Sequence, residues 1–311
     1  MCYNFDMEKE RYVHLNTWLK NKFGQRVLKI CVDGGFTCPN RDGKCGEGGC
    51  IFCGESGSGK RRTCASIKDQ IENHLKSYRG QRADKFIVYF QNFTNTYDSA
   101  TNLKKKYDEA VNASDKIVSL SVATRPDCVD ETIAKLLASY ADKYYVQVEL
   151  GLQTSNDKTA KLINRGYDTK VFAHAVEVLN KHNIDVVAHI MVGLPNETFD
   201  DLRNTVEFLN KQKISGIKIH STYVTKGTKL WQMYESGDYK PLELDEYLES
   251  VIYVLTHIRE DVVIHRISGD APKDELVAPL WNSHKKLVLN GVDRILREKN
   301  LHQGQFFDKK E

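Results

Sequence analysis

Five of the chain's eight cysteines, Cys31, Cys38, Cys45, Cys50 and Cys53, fall within one glycine-rich stretch, while Cys2, Cys64 and Cys128 are scattered. In Cys50-Ile51-Phe52-Cys53 two thiolates can reach one metal centre from a tight turn, a pattern that serves zinc, an iron–sulfur cluster or a redox dithiol. Cys38 lies 12 positions before Cys50, and Gly43, Gly46, Gly48 and Gly49 between them let the backbone fold around a bulky group. Three ligands from one loop become plausible. Cys45 offers a fourth, so the spacing alone leaves a closed zinc site open beside a three-thiolate cluster. The three scattered cysteines read as free or buried thiols.

The elements that carry this loop alternate. Asp6 to Phe23 spaces Tyr12, Leu15, Trp18, Leu19 and Phe23 at helical intervals, which predicts an amphipathic helix packed on something larger. A short apolar strand, Arg26 to Val32, then runs into turn chemistry from Gly34 to Gly43, so the cysteines sit on a loop after a strand. Further strands are expected at Phe86–Phe90, Ile117–Ala123, Tyr144–Leu150, Asp185–Val192, Gly216–Ser221 and Val262–Arg266. Helices are expected near Ser66–Tyr78, Leu103–Asn112, Glu131–Tyr140, Asn156–Ile163, Thr169–Lys181, Thr198–Lys211 and Leu244–Ile258. Such alternation argues for parallel βα units with active residues at the C-terminal strand ends. The expected fold is α/β, a partial TIM-like barrel, with a doubly wound open sheet as the alternative. It divides into an N-terminal helix (1–25), a core domain (26–260) and a C-terminal helical extension (261–311), where Leu280, Trp281, His284, Leu287, Val288 and Val292 would share a face.

Composition narrows the class. With 41% hydrophobic residues in 311 the chain is globular. No run approaches the roughly 18 apolar residues of a membrane span, and Met1 to Glu10 lack the apolar stretch of a signal peptide, so a soluble cytoplasmic protein is expected. A net charge of +3, from 45 basic against 42 acidic residues, does not announce a nucleic-acid binder. Any basic patch is local. Lys60-Arg61-Arg62 and Lys104-Lys105-Lys106 would suit phosphates, though such runs also serve as solvated faces.

The run Gly35-Phe36-Thr37-Cys38-Pro39-Asn40-Arg41-Asp42-Gly43, followed by Gly48-Gly49-Cys50-Ile51-Phe52-Cys53, resembles the cluster loop of the YhcC/YtqA-like (MnmL-like) radical S-adenosylmethionine (SAM) proteins. These are relatives of the Elongator catalytic subunit and of the oxygen-independent coproporphyrinogen oxidases. The family spaces its ligands C-x11-C-x2-C, so the resemblance implies that Cys38, Cys50 and Cys53 hold a [4Fe–4S] cluster and leaves Cys45 aside. It also implies that SAM occupies the fourth iron and is split, on one-electron reduction, to methionine and a 5′-deoxyadenosyl radical.

Further matches imply SAM contacts: Phe52 near adenine, the backbone at Phe93 with Thr94 near the amino group, Gln153 and Arg165 from one strand end, and His189 at the ribose. Ala123 stands where relatives carry a SAM-binding Glu, so that contact is expected to be missing. Simple packing for Phe52, surface roles for Gln153 and Arg165, and a hydrogen-bonded core histidine for His189 are the competing readings. Arg266 at a strand end suits a substrate anion or a neighbouring acid, and Lys218 and His220 share that ambiguity. The resemblance implies tRNA as substrate, with 5-carboxymethylaminomethyluridine trimmed to 5-aminomethyluridine, and an electron donor such as flavodoxin or ferredoxin. A small-molecule or protein substrate, and a noncatalytic zinc-stabilised protein, are the alternatives.

Overall fold

The computed structural model describes residues 10–55, 57, 63–269, 271–272 and 274–308. Seven strands form one parallel sheet: β1 (Val27–Val32), β2 (Lys85–Phe90), β3 (Ile117–Thr124), β4 (Tyr145–Gln153), β5 (Asp185–Val192), β6 (Gly216–Ser221) and β8 (Val263–Arg266), neighbours in that order. Between them run α2 (Ile67–Lys76), α3 (Ala100–Val111), α4 (Glu131–Ala138), α5 (Asp157–Leu162), α6 (Thr169–Lys181), α7 (Phe199–Asn210), α8 (Lys229–Glu235) and α9 (Leu244–His257). Helices α2 to α8 start where the sequence supplies a capping side chain. Asp130, Asp168 and Thr198 accept from the third helical N–H of α4, α6 and α7, satisfying donors that an uncapped terminus would leave unpaired.

The strands alternate apolar outside and polar inside. On β4, Val146, Val148 and Leu150 join the outer core with helix residues such as Phe172 and Leu137, while Gln147 and Glu149 point inward. The sheet curls into a half-barrel. Lys29 on β1 reaches Glu149 on β4 at 2.8 Å, and Lys218 on β6 reaches Tyr89 on β2 at 3.2 Å. Side chains three or four strands apart would not meet across an open sheet, so the open-sheet alternative falls. The fold is a partial TIM-like barrel.

Helix α1 (Leu15–Phe23) packs against both β8 and β1, spanning the gap that the half-barrel leaves. It starts later than Asp6, because Val13 and His14 lie along β8: Ile264 N–H donates to Val13 O at 2.9 Å and His14 bridges Ile264. Residues 1–9 lie outside the described residues. The segment assigned by sequence to a separate extension, 261–311, supplies β8 to the main sheet. It also supplies β9 (Leu276–Ala278), paired antiparallel with β7 (Val224–Thr225), and then α10 (Lys285–Glu298). The shared helical face expected from Leu280 to Val292 is broken: Leu280 is 71% exposed and only Val288, Val292 and Leu296 are buried on α10.

The chain's tail closes the edge of the sheet. The Gln303 side chain accepts from Val13 N–H at 2.9 Å and donates to Arg259 O at 2.9 Å and Val262 O at 2.8 Å. Buried donors and acceptors left unpaired cost about 1–3 kcal/mol. Gln303→Ala is therefore expected to lower the urea midpoint by an amount equivalent to about 2 kcal/mol, with an unchanged slope; an unchanged midpoint would show that the tail does not secure the edge.

Candidate functional site

The cysteine loop leaves β1 and is braced by three polar side chains. Asn40, fully buried, donates to Asn164 O at 2.6 Å and to Cys50 Sγ at 3.7 Å. Arg41 donates to Cys53 O at 3.0 Å and Gly54 O at 2.6 Å. Asn164, held at φ 54°, donates to Gly49 O at 2.7 Å and Glu47 O at 3.2 Å. A Cβ at Gly46 would press on the Asn40 side-chain amide, so a larger residue there would disturb the bracing. Loop residues carrying unsatisfied backbone groups cannot be buried, so this bracing is what lets the loop fold inward.

Cys38, Cys50 and Cys53 are half-buried, whereas Cys45 is exposed and its N–H is turned back onto Pro39 O. Burial pushes the Cys50 thiol up to about 12, with Cys53 and Cys38 adding to the rise and Arg125 and Asn40 opposing it. Burial also raises Cys53, against Arg41. Such thiols become thiolates on a metal centre rather than in water. Among the described residues no three His, Cys, Asp or Glu side chains close on one point as a single metal ion requires. A four-iron cluster asks for something else, since each thiolate takes its own iron.

The C-terminal strand ends surround this loop. Phe93 after β2 and Gln153 closing β4 both have positive φ, 61° and 59°, a conformation that costs energy in a residue with a Cβ and clusters at functional sites. Thr94 N–H donates to Thr37 O at 3.1 Å, tying the β2 end to the cysteine loop. Past the strand ends, Thr94 Oγ1, Glu197 Oε1, Thr222 Oγ1 and Ser268 Oγ are buried without a hydrogen-bond partner. Buried polar atoms are normally paired, and these four past the strand ends are not.

Beneath them lies a carboxylate that draws on five other strands. Glu149 on β4 has its side chain wholly buried. Its Oε1 accepts from Lys29 at 2.8 Å and Ser121 at 3.3 Å; its Oε2 accepts from Tyr89 at 2.7 Å, His189 at 2.8 Å and Lys218. Burial works against this charge, but Lys218 and then Lys29 hold the carboxyl well below the usual carboxylate range. Burial, then Lys218, pushes His189 down to about 4, so a neutral imidazole donates to Glu149.

The residues singled out by sequence thus separate into groups. Cys38, Cys50 and Cys53 come together with Phe52, which packs beside the buried Ile51 cluster. Phe93, Thr94 and Gln153 line the strand ends. Arg165 is turned inward: it is 1% exposed, and its guanidinium donates to Leu152 O, to Thr154 O at 2.7 Å, to Tyr167 O at 2.9 Å and to Asp157 at 3.2 Å. With its donors so engaged it braces the end of β4. His189 belongs to the Glu149 network. Lys106 is spent on Gly34 O and Lys104 on Asp108 at 2.7 Å, while Lys60-Arg61-Arg62 lies outside the described residues. Sequence reading passed over Glu149, Asn40 and Asn164. The one signal for Glu149 was an acid at an inward position of an otherwise apolar strand.

The Radical SAM superfamily model matches residues 40–209, and the Radical_SAM C-terminal domain model matches residues 214–298. YtqA of Bacillus subtilis strain 168 is 39% identical over 306 residues, covering 97% of this chain and 95% of that protein. YhcC of Escherichia coli K12 is 36% identical over 282 residues, 90% of each. Among solved structures, an Elp3 of the archaeon Methanocaldococcus infernus superposes with a TM-score of 0.67 at 21% identity, a likeness of fold. It covers 89% of this chain, and the chain spans 64% of that Elp3 chain.

Glu197, just after β5, offers a pH-dependent check on the strand ends. Burial raises its carboxyl to about 7, against Thr154 and Thr159. The ordinary value in an unfolded chain is about 4.3. The folded state therefore binds the extra proton between those values, and stability from this group is full below about 4.3 and lost as pH rises through 7. Glu197→Gln is expected to flatten that fall and to exceed the wild type above pH 7 by about 1–3 kcal/mol in denaturant titrations. Parallel pH profiles for the two proteins would refute the assignment.

Proposed function

Because this chain belongs to the radical SAM superfamily, in the family of YtqA and YhcC, and so takes a [4Fe–4S] cluster and SAM as cofactors, we propose that it modifies tRNA at the wobble uridine. The reaction is the trimming of 5-carboxymethylaminomethyluridine to 5-aminomethyluridine. The observation that supports the radical SAM part is the braced loop, which holds three half-buried thiols, Cys38, Cys50 and Cys53, near enough to act on one another electrostatically, while Cys45 is exposed. In this reading Cys38, Cys50 and Cys53 are the ligands, and Phe52, Phe93, Thr94 and Gln153 contact SAM, as the family resemblance implies. Arg165 serves SAM through the β4 end that it holds. When bound, the cluster and SAM together supply a radical able to abstract hydrogen from an unactivated carbon.

The chain's own residues do the rest. Asn40, Arg41 and Asn164 fix the loop before any ligand arrives, so binding does not have to order it. The unpaired groups past the strand ends orient the polar ligand. His189, held neutral, presents an imidazole at the inner wall without adding charge. The tRNA part draws on the family resemblance and on the Elongator relatives, including the Elongator complex protein 3 of Dictyostelium discoideum, 29% identical over 171 residues. A reduced electron carrier such as flavodoxin or ferredoxin would supply the electron. Among the described residues no helix is long and apolar enough to cross a membrane.

Two measurements test this reading at its two levels. After anaerobic reconstitution, Cys38→Ala, Cys50→Ala and Cys53→Ala should each lose the cluster's absorbance and most of the bound iron, and Cys45→Ala should keep both; the reverse result for Cys38 and Cys45 would overturn the ligand set. Incubation with SAM, reductant and tRNA bearing 5-carboxymethylaminomethyluridine should convert that nucleoside to the aminomethyl form, read by nucleoside mass spectrometry. A preparation that releases 5′-deoxyadenosine but leaves the nucleoside intact would remove the substrate and keep the radical chemistry.

A further inference from the structure

The end of β4 is bent out of the regular ladder. Gln153 has φ 59°, and the pairing of β4 with β5 shifts register between Gly151 and Gln153. A residue with a Cβ stays in this conformation only where its surroundings hold it there. The bend folds the Gln153 side chain back over Gly151: a Cβ at position 151 would come within 2.6 Å of Gln153 Nε2 and 3.2 Å of Tyr167 Oη. Glycine at 151 is what makes room for the amide.

Tyr167 holds that amide in place. Its hydroxyl lies 2.7 Å from Gly151 O and 3.3 Å from Gln153 Oε1, so one phenol meets the backbone and the side chain of the β4 end together. Among the described residues no other side chain hydrogen-bonds the Gln153 amide, and its NH2 has no partner. An amide carries an acceptor at one end and two donors at the other. With the oxygen on Tyr167, the donor end is the one left for a ligand.

The ring is fixed in turn. The Arg125 and Arg165 guanidiniums lie over it, 4.8 Å and 4.7 Å from its centroid, an attraction between a cation and a ring face. Both are tied down. Arg125 is paired with Asp127 through hydrogen bonds of 2.9 Å and 2.7 Å and donates to Arg165 O at 2.9 Å, and Arg165 donates to Tyr167 O at 2.9 Å. The same group of side chains abuts the cysteine loop, since a Cβ at Gly166, φ 84°, would lie 3.1 Å from Asn40 Oδ1 and 3.2 Å from Arg125 Nη2. A tyrosine that only filled space here would need its ring and not its hydroxyl, and phenylalanine separates the two roles.

We infer that Tyr167 is a positioning residue for SAM: its hydroxyl takes the oxygen of the Gln153 amide and leaves the NH2 for an acceptor atom of the cofactor. That Gln153 contacts SAM rests on the function proposed above; the fixing of its amide by Tyr167 and Gly151 does not.

The test is SAM affinity, measured anaerobically by equilibrium dialysis without reductant on the reconstituted full-length protein, so that no turnover is needed. Iron content and the urea midpoint show that each variant is folded and loaded. Tyr167→Phe keeps the ring beneath both guanidiniums and removes the hydroxyl. It should raise the Kd for SAM about threefold to tenfold, the range for one hydrogen bond, with iron unchanged. Gln153→Ala should raise it at least as much. In the double variant the two losses should not multiply, because Tyr167 acts through Gln153. Gly151→Ala, which displaces the amide without removing it, should weaken SAM binding as Gln153→Ala does.

Wild-type affinity in Tyr167→Phe or Gly151→Ala beside a weakened Gln153→Ala, or losses that multiply in the double variant, overturns the positioning role and leaves the proposed function standing. Loss of iron in Tyr167→Phe overturns it as well, since the cysteine loop itself would then need the hydroxyl. Wild-type affinity in Gln153→Ala does so by taking Gln153 out of the SAM site. A wild-type protein that holds its cluster yet binds no SAM removes the proposed function, and this role with it.

Discussion

One buried carboxylate organises the centre of this protein. Glu149 rises from β4 and accepts from side chains on β1, β2, β3, β5 and β6. An ionised acid in so dry a place is tolerated only when it is fully paired, and removing one partner of such a pair typically costs about 3–5 kcal/mol. The curl of the sheet is what brings those partners within reach. Curl and carboxylate depend on each other, because an opened sheet would strand the charge and an unpaired charge would favour opening.

The two faces of the strands accordingly do different work. Outward residues such as Leu120, Val148 and Val186 join the helices in the apolar core that stabilises the fold. Inward residues such as Ser121, Glu149, His189 and Lys218 forgo that gain and form a polar lining. A packed TIM barrel fills its centre with branched side chains; here the half-barrel lines its centre with polar ones. Unpaired buried groups gather at the strand ends and along this lining, the places where a ligand rather than the protein would complete them.

The cysteine loop solves a separate problem. A glycine-rich loop is free to fold around a cluster but carries many backbone groups that need partners. Asn40, Arg41 and Asn164 provide them from three points, and Asn40 also donates to Cys50 Sγ. The same contacts that bury the loop therefore also reach one of its thiols.

Much of this was legible in the chain itself. The strands Asp185–Val192 and Gly216–Ser221 and the helix Thr169–Lys181 were read with their observed ends, because short apolar runs bounded by turn residues and a capping Asp168 are local signals. The cysteine loop was legible as a unit for the same reason: its residues lie within 16 positions of one another, from Cys38 to Cys53. Local patterns were less reliable where a distant partner overrode them. Val13 and His14 leave the expected helix because Ile264 and Gln303, about 250 to 290 positions away, pair with them. Sequence by itself determined the order of elements, the thiols and the kind of chemistry they suit. Only the tertiary structure decided that the sheet closes on itself and that Glu149 gathers Lys29 and Lys218, since these residues are separated by 120 and 69 positions and only the curvature of the folded sheet makes them neighbours.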